Sequence, residues 1–189
     1  MSNNSASRTL RPDMPFVVAA HDTLAAQLAT LFVWSVFLAA PDRILEHHKM
    51  RIAAKQLRYG LDAFAEVLPA SIASALDDLK ALQVALGNLH DLDTLFLSIE
   101  RAMIQDTSHK KRKRNEAIRA RKARQRISLE TLLSATAAER DAQQQRCLAM
   151  WRDLVGRDAF APLQRTLLDL AALATVPAAP TPPTAEANC

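Results

Sequence analysis

The chain has 189 residues, 49% hydrophobic and 23% charged, with only three glycines and few aromatics. That suffices for one domain with a real core, and it argues for helices throughout rather than a sheet protein. Cys147 and Cys189 stand far apart with no paired spacing, which suggests neither a disulfide framework nor a thiolate metal site and fits a reducing, cytoplasmic setting.

In chain order, residues 1–12 read as a disordered N-terminus, 13–175 as a helical bundle and 176–189 as a proline-rich disordered tail. The first helix is expected near 14–40, broken by Pro41, with Asp42 capping the second. Thr23 to Ala40 carries no charge, and LFVWSVFLAA is apolar on every side, borderline for a membrane span of about 20 residues. Phe32, Val33, Trp34, Val36 and Phe37 point in too many directions for one small bundle to cover. A homodimer through this helix is therefore the expected use, and a membrane-associated helical protein the alternative.

The second helix is expected to end near Leu68-Pro69, and it has two faces. With His48, Arg51, Lys55 and Arg58 at offsets of zero, three, seven and ten, the basic side chains fall within an arc of roughly 80° over about 15 Å of axis. Met50, Ala53, Leu57, Leu61, Phe64 and Leu68 lie opposite, on a core face. A basic stripe on an amphipathic helix is most often a solvated face. The third helix, expected from after Ser71 to about Met103, argues for more, because Lys80, Gln83, Gly87 and His90 repeat the same offsets before an apolar row of Leu82, Ala85, Leu86, Leu89, Leu92 and Phe96.

Residues 109–126 hold ten Lys and Arg against one acid, Glu116, leaving fourteen basic and nineteen acidic residues elsewhere. The basic excess is local. Lys110, Lys111, Arg112, Lys113 and Arg114 form a secondary patch, readable either as a polyanion clamp or as a solvated helix start. A fourth helix is expected from this run to Trp151 or Leu154, interrupted at Gly156, and a short fifth near 159–174. The fold class is all-α: an antiparallel four-helix bundle of long helices with a short extra C-terminal helix.

The segments EHHKMRIAAKQLRYGLDAF (46–64) and LKALQVALGNLHDLDTL (79–95) resemble the CHAD domain, the conserved histidine α-helical domain. The shared motifs are a His with an Arg three residues on, further basic residues and Leu-Arg-Tyr, followed by Leu-Gln-x-x-Leu-Gly and aspartates. The resemblance implies an all-helical domain that binds inorganic polyphosphate through clustered basic side chains, with no established catalytic residues. Carried over, the binding residues are His48, Arg51, Lys55 and Arg58, with Lys80 as an addition and His90 facing them. Two departures stand out: Gln56 occupies a place where the family often has a second basic residue, and a full domain has two such repeats where this chain shows the motif pair once.

Other chemistries find no support in the sequence. His47 and His48 are adjacent and face different directions, unlike chelating histidines one turn apart. Asp91, near the stripe, is expected to orient an Arg or Lys through an ion pair. There is no glycine-rich phosphate loop and no nucleophile motif, so neither turnover, nor a metal, nor a cofactor is expected. Nucleic acid binding through 109–126 is the second choice, without aromatic residues to stack bases. A cytoplasmic polyphosphate binder would gather on polyphosphate granules.

Overall fold

A computed structural model describes residues 15–108 and 116–174. It contains α1 (Phe16–Ser35), α2 (Ile44–Ala63), α3 (Ala73–Ser108), α4 (Glu116–Gly156) and α5 (Ala161–Ala174), with 3-10 turns at Ala65–Val67 and Ala70–Ile72. There is no strand among the described residues. The protein is all-α, and the short C-terminal helix is present.

The first four helices run antiparallel in succession. The Phe16 ring, which opens α1, lies 5.2 Å from that of Phe64, just past α2. His48 and Arg58 on α2 meet His90 and Gln83 on α3. Gln143 and Arg157, on α4 and just after it, meet the Ala85 carbonyl and Asp78 of α3. Packing follows the order α1–α2, α2–α3, α3–α4, and it is α5 that lies along α1. At 36 and 41 residues, α3 and α4 are about 54 and 62 Å long, against about 30 Å for α1 and α2, so both outreach those two helices.

The core joins Leu24, Leu28 and Leu31 of α1 to Met50, Ala53, Leu57 and Leu61 of α2 and to Leu79, Leu82, Leu86 and Leu89 of α3. Cys147, Trp151 and Leu154 of α4 and Leu163 and Leu167 of α5 close it. Burial pushes the Cys147 thiol up to about 11, which keeps it protonated and unreactive. The first two helices pack tightly at Gly60, where an added Cβ would stand 2.9 Å from the Leu24 side chain and nearer still to Gln27.

The first helix stops at Ser35, short of the expected 40. The reason lies in distant side chains that claim the carbonyls of the turn. His47 Nε2 bonds the Phe37 oxygen at 3.1 Å, Gln144 donates to the Leu38 oxygen at 2.8 Å, and Arg140 donates to the Pro41 oxygen. Helix-end carbonyls need such partners when they leave water, and here they come from α2 and α4.

Most of the apolar run is covered within the chain. The Phe32 ring packs 5.2 Å from Trp151 and 5.8 Å from Phe160. Trp34 packs on Phe37 and under Lys49, and Arg43 lies over Phe37. Val33 and Val36 stay exposed, at 58% and 70%. By length and composition α1 could cross a membrane, with a mean hydropathy of 1.5 in its apolar stretch, but its leucines face α2 and the core.

Two helix ends also differ from expectation. Asp42 does not cap α2, whose N-cap is Arg43 without a side-chain bond; Arg43 instead reaches Glu46 at 3.8 Å. Gly156 remains helical, and α4 is broken two residues later by Asp158, whose φ of 57° is left-handed. The Ala159 N–H then donates to the Leu154 carbonyl at 2.9 Å, the closure that glycine usually makes at a helix end.

Candidate functional site

The two polar rows face each other. The antiparallel α2–α3 pair sets His48 against His90 and Arg58 against Gln83. The apolar residues behind each row hold this orientation: Met50, Leu57, Leu82 and Leu89 are completely buried.

His48 Nδ1 lies 3.3 Å from His90 Nδ1, with ring centroids 4.5 Å apart. The His48 imidazole titrates below its ordinary value, chiefly because burial disfavours the charged ring, then because of His90 and Arg51. His47 is 3% exposed and turned the other way, toward the α1 turn, so the adjacent histidines have separate roles.

Arg51 sits one turn along from His48. Its Nε is buried and has no hydrogen-bond acceptor. On α3, one turn from His90, a Cβ added at Gly87 would meet nothing within 4 Å, so that helix leaves open space there. Arg58 is held in place: Nε donates to Gln83 Oε1 at 2.8 Å, NH1 reaches Asp62 at 3.4 Å, and the guanidinium lies 4.3 Å from the Tyr59 ring centroid. Lys55 is exposed, with its ammonium 5.5 Å from the same ring.

Four of the six expected residues, His48, Arg51, Arg58 and His90, thus lie along the α2–α3 seam, with Lys55 at its exposed edge. Lys80 is less engaged, since its ammonium turns to Asp77 on its own helix at 3.0 Å. Lys110, Lys111, Arg112, Lys113 and Arg114 lie outside the described residues. Arg121 and Arg124, from the same basic run, are exposed on α4.

Asp91 does not orient the stripe. It is exposed and pairs with none of the basic side chains there. The ion pair is made by Asp93, which is buried and accepts from Arg140 Nε of α4 at 2.5 Å. Asp93 therefore ties α3 to α4 and, through Arg140, to the Pro41 carbonyl. Sequence reasoning also passed over Tyr59 as the surface on which Arg58 and Lys55 rest; its place one residue after Arg58 in the Leu-Arg-Tyr triplet was the available signal. Among the described residues no group of three or more His, Cys, Asp or Glu could hold a metal ion.

An all-helical domain in which a basic helix face opposes a second polar row across an antiparallel seam is the class of protein this geometry defines. The chain belongs to the CHAD domain family, whose model matches residues 2–96. That match covers just over half the sequence and every residue of the seam, while α4 and α5 lie beyond it. No curated protein and no solved structure matches the chain.

Proposed function

We propose that the protein binds inorganic polyphosphate, without turnover, along the α2–α3 seam. The observation that carries this reading is Arg51, one turn along from His48, whose Nε is buried and lacks an acceptor, on a seam where Gly87, one turn from His90 on the facing helix, leaves open space. A buried donor without a partner is costly in the free protein, and a phosphate oxygen would satisfy it. Arg58, positioned by Gln83 and Tyr59, offers a second planar fork for phosphate oxygens, and Lys55 adds a point charge at the edge. Family membership supports the choice of polyphosphate over other polyanions, since the CHAD family is linked with that ligand.

The site can be blocked without disturbing the fold. Gly87→Glu meets no steric obstacle at Cβ and adds a carboxylate to the polar row of α3, one turn from His90. Helicity by circular dichroism should be unchanged, and long-chain polyphosphate binding should be lost in a titration against polymers of several lengths. A folded Gly87→Glu protein with wild-type affinity would remove the seam as the site.

A further inference from the structure

We propose that polyphosphate reaching the His48–His90 pair binds together with a proton, so that pH sets the affinity of the seam. This rests on the reading of the seam as a polyphosphate site and adds its regulation. The argument starts from the two rings. They come from different helices, their Nδ1 atoms are 3.3 Å apart, and both are partly buried. A neutral pair can share one proton between these nitrogens, one donating and the other accepting. A further proton removes the acceptor, sets N–H against N–H and adds positive charge beside Arg51.

No neighbouring element supplies a counter-charge. On α2, Glu46 is paired with Arg43, and the remaining near charge is the cation Arg51. Toward α1, Lys49 lies over Trp34 and His47 bonds the Phe37 carbonyl, both turned from the pair. On α3, Asp91 is exposed, and Asp93 is buried with its Oδ1 paired to Arg140 of α4 and its Oδ2 without a partner. Neither His48 nor His90 has a carboxylate partner among the described residues. Burial, His90 and Arg51 accordingly disfavour the charged form of His48 in the free protein.

A phosphoryl group against the pair reverses these terms. Its oxygens accept from both Nδ1–H groups, and its charge offsets that of the imidazolium. Internal phosphates of a long chain are strong acids that stay ionised where histidine titrates, so the proton is taken up by the protein. Linkage then requires affinity to rise as pH falls.

The test is calorimetric titration with long-chain polyphosphate in two buffers of different ionisation enthalpy, from roughly pH 8 to pH 5.5, across the histidine range. Wild-type protein should take up protons on binding, with affinity rising about tenfold for each unit by which binding raises one ring's pKa. A His48→Gln/His90→Gln variant, checked for native helicity, retains every other histidine and should lose that uptake. Wild-type binding without proton uptake, or uptake undiminished in the double variant, overturns the proposal and leaves the polyphosphate reading standing. Folded wild-type protein that fails to bind the polymer at any pH overturns the underlying reading, and this one with it.

Discussion

Arg51→Met should separate binding from stability, because Arg51 is poorly satisfied in the free protein. Its Nε is buried without an acceptor, and it makes no ion pair among the described residues. Leaving such a donor unmade costs about 1–3 kcal/mol. Methionine keeps an unbranched stem in the same space and removes the donor. The unliganded protein should therefore melt no lower than wild type and gain about 2–4 °C for each kcal/mol recovered in a chain of this size. The same change deletes a charge-assisted contact to phosphate worth about 1.5–3 kcal/mol. At 1.4 kcal/mol per decade, that is about a tenfold loss of affinity or more. Arg58→Met is the contrast: it breaks bonds to Gln83 and Asp62 and contact with Tyr59, so stability and affinity should fall together. Scanning calorimetry without ligand and a polyphosphate titration read the two quantities. An Arg51→Met protein that melts several degrees lower, or binds with unchanged Kd, refutes the reasoning.

Three further outcomes follow from the packing and the titrating groups. Asp93→Ala leaves the buried Arg140 with only the exposed Asp141, 3.6 Å away, and should cost about 3–5 kcal/mol in urea unfolding, with faster amide exchange in the turn at Leu38–Pro41; a loss near zero would show that the Asp93 pair does not hold α3, α4 and that turn together. Because the folded-state pKa of His48 is lowered, the unfolded chain binds more protons below the ordinary histidine value of about 6.5. Its stabilising effect is thus complete above that pH and declines as pH falls through it, which a urea midpoint dropping further in wild type than in His48→Gln between roughly pH 7.5 and 5.5 would record. Pairing of two chains through α1 is proposed to rest on exposed Val33 and Val36, so light scattering should give twice the chain mass for wild type and the chain mass for Val33→Ser/Val36→Ser, whereas a wild-type monomer ends that proposal.

What the sequence made legible was set by local periodicity. The buried row of α2 and its basic stripe follow from side chains repeating at the helical period, and the facing of α2 and α3 follows from their shared offsets. Features decided by a distant element were not legible. The apolar pattern of α1 runs on to Ala40, yet the helix ends at Ser35 because His47, Arg140 and Gln144 claim the carbonyls beyond it. Asp91 and Asp93 are equivalent in a linear reading; the direction from which α4 approaches selects Asp93. Lys80 lies on the predicted row, but Asp77 three residues earlier draws its ammonium aside. Gly156 looked like the breaker of α4 by residue type, whereas the left-handed backbone falls at Asp158, where the Ala159–Leu154 hydrogen bond closes the helix.

Competition between long-chain polyphosphate and DNA, matched in charge concentration and run at several salt concentrations, decides between the seam and the basic run as the binding site. Both ligands should bind less tightly as salt rises, since each displaces counterions. The seam reading predicts that polyphosphate displaces DNA at far lower concentration than DNA displaces polyphosphate. That preference should survive neutralisation of Lys110, Lys111, Arg112, Lys113 and Arg114, which should only flatten the salt slope. Equal displacement in both directions, or a preference that disappears with the basic run, would contradict the account and assign binding to that run instead.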